Sequence, residues 1–181
     1  YDLGCSLGAS TSSLLNALSG RSKIIAIDNS DSMVRSCAER FSDPIKTGQV
    51  NFLKEDISDS EIVNASIVVI NFVLQFLSIK KRAELMQKIY QGLVPGGILI
   101  LSEKIHFDSK KRTDEISCIH HSFKAANGYS KLEIASKRDS LEGVLVTETE
   151  SQHFDRAKEL GFKSSTKLMS NLNFSTYMFQ K

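Results

Sequence analysis

The sequence contains no tryptophan, only three cysteines, almost no excess charge of either sign, and no apolar run of the roughly 18 residues a membrane-spanning helix needs. Cys5, Cys37 and Cys118 are widely spaced and form no C-x-x-C pair, which argues against a disulfide framework and a zinc site and fits a reducing cytoplasm. Lys plus Arg number 23 and Asp plus Glu 21, so no basic stripe pulls the chain toward nucleic acid, and no direct nucleic-acid binding is expected. With neither a membrane span nor a basic-apolar leader, the sequence reads as soluble and cytoplasmic with no membrane partner. It has no internal repeat or low-complexity tract.

What is present suffices for a core. With 181 residues, 41% of them apolar, the chain is expected to form a single domain over 1–181. It opens on Tyr1-Asp2-Leu3, without an initiator Met and directly before a turn of functional type, so an N-terminal truncation is expected.

Short β-branched runs alternate with segments of helical period, the pattern of repeated βα units around a mainly parallel sheet. Strands are predicted at 1–3, 23–27, 50–53, 66–71 and 97–102, and helices at 10–18, 31–41 and 80–93. Ser30 is the expected N-cap of the second helix, and Pro95-Gly96-Gly97 is expected to stop the third. From about 105 to 150 the texture changes to a charged, His-bearing helical insertion, broken at Asn127-Gly128. A helix over 151–160 and an antiparallel hairpin of 163–169 with 173–179 close the chain.

The strongest chemical signal is the D-x-G-x-x-x-G pattern Asp2-Leu3-Gly4-Cys5-Ser6-Leu7-Gly8, after a strand and before a helix. Its spacing departs from the G-x-G-x-x-G that cradles a pyrophosphate and suits an amino-acid or nucleoside moiety better. A tight βα turn without a ligand is the plain alternative. Asp28 and Asn29 follow the second strand, near the spacing of a ribose-binding acid, although either residue would also serve as a helix cap. After the third strand, Glu55, Asp56 and Ile57 offer an acceptor for an adenine amino group and an apolar surface for the ring, or an ordinary polar loop. Asn71 ends the fourth strand, where its amide demands partners; it faces the cleft or caps a loop. Four strand ends thus send polar groups to one edge, which favours a nucleoside-type cofactor on a Rossmann-like class I methyltransferase fold, S-adenosyl-L-methionine being the candidate.

The segments YDLGCSLGA, KIIAIDNS, NASIVVINFVLQFL, KIYQGLVPGG, ILSEK and HHSFKAANGYSKLEIASKR, with the closing LNF, resemble the carboxy-S-adenosyl-L-methionine synthase family of bacteria over essentially the whole chain. That resemblance implies conversion of S-adenosyl-L-methionine and prephenate into carboxy-S-adenosyl-L-methionine and phenylpyruvate, feeding modification of a transfer-RNA wobble uridine. It also implies a homodimer. Gly4, Cys5 and Ser6 would contact the amino-acid portion of the cofactor, Asp28 and Asn29 the ribose, Asp56 and Ile57 the adenine, and Asn71 the sulfonium side. Arg138 would recognise the added carboxylate, a task suited to a planar guanidinium that grips with two parallel hydrogen bonds; without the family it reads first as a solvated helix charge. The chain departs from the family at Ala125, where a basic residue is usual, and in lacking tryptophan near its end.

His120-His121 is not expected to hold a metal, because adjacent helical positions point about 100° apart, and no metal is expected elsewhere. The apolar stretch 72–77 reads as core or as interface. Two further functions remain open at this stage: a true S-adenosyl-L-methionine-dependent methyltransferase acting on transfer RNA or a small molecule, and a non-catalytic S-adenosyl-L-methionine-binding module.

Overall fold

The alternating apolar segments assemble into one seven-stranded sheet of order β3-β2-β1-β4-β5-β7-β6 in the computed structural model, which describes all residues except Ser19 and Arg21. The strands are β1 (Asp2–Leu3), β2 (Ile24–Asp28), β3 (Val50–Lys54), β4 (Ala65–Asn71), β5 (Leu93–Lys104), β6 (Ser164–Asn171) and β7 (Phe174–Gln180). Strands β1 to β5 pair in parallel, and β7 runs antiparallel between β5 and β6, as the closing hairpin predicted. The chain runs outward from β1 to β3 and then returns to place β4 on the other side of β1. A crevice therefore opens beyond the carboxyl ends of β1 and β4, where open α/β sheets bind ligands.

Crossovers are supplied by α1 (Ala9–Ala17), α2 (Asp31–Arg40), the short α3 (Ser42–Lys46) and α4 (Ile79–Gly92); α7 (Glu150–Leu160) precedes the terminal hairpin. Strand β4 carries the run Ile67-Val68-Val69-Ile70, and Val68 and Ile70 are fully buried, as a central strand covered on both faces requires. Leu85, Met86 and Ile89 of α4, Ala157 of α7, and Tyr177 and Phe179 of β7 complete that core cluster. A second cluster joins Cys5, Ile24, Ala26 and Val50 to Cys37 and Phe41 at the end of α2. Removing any one of the larger buried side chains costs about 2–5 kcal/mol, because the cavity left behind adds to the lost transfer energy.

Two expectations are corrected. Pro95-Gly96-Gly97 does not stop α4, which already ends at Gly92; it forms an irregularity inside β5, where register jumps from Ala65↔Leu93 to Ile67↔Ile98. Proline lacks the ladder donor and is tolerated where pairing is interrupted, so the same residues that read as a helix stop fit a bulge. Strand β5 also continues past Ser102, carrying Glu103 inward. The insertion folds as α5 (Lys110–Ala126) and α6 (Lys131–Leu141), separated at Asn127-Gly128, and neither helix contains a buried residue. No described helix is long and apolar enough to cross a membrane.

Candidate functional site

The turn after β1 is held against β2 and has glycines where neighbouring side chains leave no room for a Cβ. Gly4 and Cys5 both donate their amides to the Ile27 carbonyl, at 2.8 and 3.0 Å, which draws the turn against β2. Gly4 sits at φ 76°, and a Cβ there would stand 2.4 Å from Val73 Cγ2; Gly8, also at φ 76°, would meet the Phe41 ring at 2.6 Å. Side chains at either position would be strained and would push the turn off its neighbours. Beneath the turn the buried Asp2 accepts a 2.6 Å hydrogen bond from the Thr11 hydroxyl of α1. Burial raises the Asp2 pKa against the lowering effect of that bond.

Gly4, Ser6, Asp28, Asn29, Asp56, Ile57 and Asn71 line one hollow of about 550 Å³, with Glu55 among them. Asp28 accepts from the Ser6 amide on one oxygen and from the Ser30 amide on the other, both at 2.9 Å. A carboxylate has about four lone-pair sites, so accepting capacity remains for hydroxyls in the hollow. Its two readings, ligand acid and local backbone acceptor, are thus compatible. Asp56 accepts from the Ser58 amide at 2.8 Å, and that bond, against a smaller opposing effect of burial, lowers its pKa and keeps it an acceptor. The Asn71 amide nitrogen donates to the Ser10 hydroxyl at 2.8 Å, linking the end of β4 to the start of α1.

Two residues from the resemblance stand elsewhere. The Cys5 side chain turns into the second core cluster, is absent from the hollow's lining, and has its thiol pKa pushed up by burial. Only its backbone takes part in the turn. Arg138 lies on the exposed α6, paired with Asp139 at 2.9 Å, and borders a separate hollow of about 360 Å³ with Lys104, His120, Lys124 and Lys137. Burial and then Lys124 lower the Lys104 pKa, while burial followed by Lys124, Lys104 and His121 lowers that of His120. An aromatic row links the two hollows: Phe72, which lines the first, meets Phe174 edge-on at 5.8 Å, and Phe174 meets His120 of the second edge-on at 5.1 Å. The His120 and His121 rings are 6.2 Å apart, and among the described residues no group of three His, Cys, Asp or Glu side chains is arranged to hold a metal ion.

Sequence reasoning missed the opposite wall. Phe72, Val73, Phe76 and Leu77 line the 550 Å³ hollow, so the stretch left open as core or interface borders the candidate site. The available signal was its place: bulky apolar residues directly after a strand end, where loops are ordinarily polar.

The family described as "Methyltransferase domain" matches residues 1–99. The carboxy-S-adenosyl-L-methionine synthase of Shewanella halifaxensis is 47% identical over 177 residues, covering 97% of this chain and 73% of that protein. Its namesake in Hydrogenovibrio crunogenus is 46% identical over 178 residues, covering 98% and 71%. Among solved structures, the pyocyanin biosynthetic protein PhzM superposes with a TM-score of 0.72 at 13% identity, over 99% of this chain and 49% of that one. Human N-acetylserotonin methyltransferase, in complex with its cofactor, superposes with a TM-score of 0.66 at 18% identity, over 99% and 46%. At those identities the structural likeness speaks for the methyltransferase fold alone. With close to half its residues shared with the named synthases along nearly its whole length, the chain belongs to the carboxy-S-adenosyl-L-methionine synthase family.

Proposed function

We propose that this chain transfers the carboxyl group of prephenate to the methyl group of S-adenosyl-L-methionine, releasing phenylpyruvate. The observation that supports this most is the meeting of four strand ends at one hollow: the glycine turn, Asp28, Asp56 and Asn71. This donor set suits an adenosyl sulfonium guest, with Asp28 beside the ribose, Asp56 toward the adenine amino group and Ile57 against the ring. Once bound, S-adenosyl-L-methionine supplies a methyl group acidified by the adjacent sulfonium. Phe72, Val73, Phe76 and Leu77 keep that side of the hollow apolar and limit water beside it.

Prephenate is a dianion, and the second hollow gathers Lys104, Lys124, Lys137 and Arg138 against the lone acid Glu142. Cations at that density favour carboxylates, and the row Phe72-Phe174-His120 sets the two hollows side by side. The atoms balance without a redox partner: the carboxyl leaves prephenate as carbon dioxide, and the ring hydroxyl leaves with the methyl proton as water. The residues would act by proximity and by electrostatic complementarity to developing charge.

In this reading the product serves modification of a transfer-RNA wobble uridine in the cytoplasm, and the enzyme works as a homodimer. The exposed Phe123 and Leu132 on helices without a buried residue support the dimer. Incubation of the protein with both substrates tests the activity by mass spectrometry. A product heavier than S-adenosyl-L-methionine by one carbon dioxide is expected; only methylated acceptors would mark an ordinary methyltransferase, and tight cofactor binding without turnover a binding module.

A further inference from the structure

The apolar wall of the adenosyl hollow is fastened from behind by two charged side chains that do not line it. From β5, Glu103 accepts the Val73 and Leu74 amides on one oxygen, at 3.1 and 2.8 Å, and the Gln75 amide on the other, at 3.3 Å. From α4, Arg82 donates to the Leu77 carbonyl at 2.9 Å and to the Gln75 carbonyl at 3.3 Å. Its remaining reach goes to the Val146 carbonyl at 2.7 Å and to Glu148 at 2.8 Å. Both side chains are 1% exposed.

A local cap cannot do this work. Residues Leu74–Phe76 form a one-turn 3-10 helix whose first amides lack an internal acceptor, and its N-cap is Val73, which offers no side-chain oxygen. The usual Ser, Asp or Asn would put a polar group where Val73 packs over Gly4 and Phe72 faces the hollow. The acceptor therefore has to arrive from another strand. We infer that Glu103 and Arg82 are positioning residues of this enzyme, which set the 72–77 wall against the glycine turn and thereby tune affinity for the adenosyl ligand. The inference rests on reading that hollow as the adenosyl site.

The choice of a carboxylate supports a role beyond stability. Burial outweighs the three amide bonds and the Arg82 charge, and pushes the Glu103 carboxyl up to about 7. Its ordinary value is 4.5, so between those values the folded state holds more proton than the unfolded one, and stability falls as the pH rises through the interval. The fold thus carries an ionised Glu103 above that range at a cost. Once protonated, the carboxyl turns one oxygen into a donor facing an amide donor, and the wall loses a tether. The charged group that acts on it is Arg82 on α4; Glu148 lies beyond that guanidinium, and Arg156 and His153 on α7 lie beside Glu148. Burial holds His153 down at about 4; burial raises Glu148, but the Arg82 and Arg156 bonds and charges together outweigh it and hold that carboxyl below its usual value, so neither titrates alongside Glu103.

Calorimetric titration of S-adenosyl-L-methionine into the wild type and Glu103→Gln tests this at about pH 6 and about pH 8, with thermal melting in parallel. Glutamine keeps an oxygen for two amides and opposes the third with its own donor. At the higher pH the variant is expected to bind about tenfold more weakly, equivalent to about 1.4 kcal/mol. At the lower pH the ratio of the two dissociation constants should shrink toward one; the ligand's own titration cancels in that ratio. The KM for S-adenosyl-L-methionine should rise more than kcat falls. Should Glu103→Gln fail to fold, Glu103→Asp, which keeps the charge on a shorter arm, is expected to retain the pH dependence at weaker affinity. A ratio of one at both pH values, or for Glu103→Asp wild-type affinity throughout, overturns the inference. A wild type that does not bind S-adenosyl-L-methionine at all instead overturns the reading of the hollow, and this inference with it.

Discussion

The carboxylate of Asp28 receives the Ser6 amide at 2.9 Å, so the acid at the end of β2 and the glycine turn after β1 move as one unit. The Ser30 amide on its other oxygen extends that unit to the start of α2.

Asp28→Ala should therefore weaken ligand binding twice over, by removing the acceptor proposed for the ribose and by releasing the turn. Hydrogen bonds to a charged group are worth about 1.5–3 kcal/mol, or roughly 10- to 100-fold in the dissociation constant. Asp28→Asn keeps an acceptor and should lose less. Calorimetry with S-adenosyl-L-methionine measures both, and wild-type affinity in Asp28→Ala would remove the residue from the site.

Gly4→Ala tests the contact between the turn and the wall. The new methyl would stand 2.4 Å from Val73 Cγ2 at φ 76°. The left-handed backbone alone costs about 1–2 kcal/mol, so a melting temperature lower by about 4 °C is expected, together with weaker cofactor binding.

Arg82 joins α4 to the end of the insertion through Glu148, which Arg156 also grips. Arg82→Ala leaves the Gln75, Leu77 and Val146 carbonyls without their shared donor and Glu148 with a single partner. A loss of about 3–5 kcal/mol is expected in urea denaturation. A loss under about 1 kcal/mol would show that the buried pair contributes little.

His153 is buried beside Tyr177, and burial depresses its pKa to about 4 from 6.5. A depressed folded value means that its stabilising contribution is complete above 6.5 and fades as the pH falls toward 4. Glu103 contributes the opposite slope between 4.5 and about 7, so the thermal midpoint of the wild type should drop relative to that of His153→Phe as the pH falls across that interval, provided that variant folds. An equal drop in the variant would assign the acid sensitivity to another group.

Leu132 is 76% exposed and Phe123 60% exposed on helices that bury nothing of themselves. If a second copy covers them, Leu132→Asp should shift the sedimentation coefficient from dimer to monomer while leaving the melting transition of the sheet largely unchanged. A wild type that sediments as a monomer removes the dimer.

Much of this molecule was legible along the chain because the relevant physics is local. The run Ile67-Val68-Val69-Ile70 reads as a strand from β-branching alone, and a parallel sheet turns successive strand ends to one edge, which is why Gly4, Asp28, Asp56 and Asn71 group together on the sequence alone. Pro95-Gly96-Gly97 misled because proline and glycine punctuate helices and bulges alike, and only the pairing of β4 with β5 separates the two.

The spacing of apolar and acidic residues was enough to specify a methyltransferase-type sheet with a ligand edge, since strand period and βα connection are set by neighbours in sequence. Tertiary packing alone decided that the Cys5 side chain turns into the core, that Arg138 borders a different hollow, and that Phe72 to Leu77 form a wall. The same holds for Glu103, whose three amide partners lie 28 to 30 residues earlier. Contacts across such separations depend on how helices and strands stack, and no local pattern in the chain encodes them.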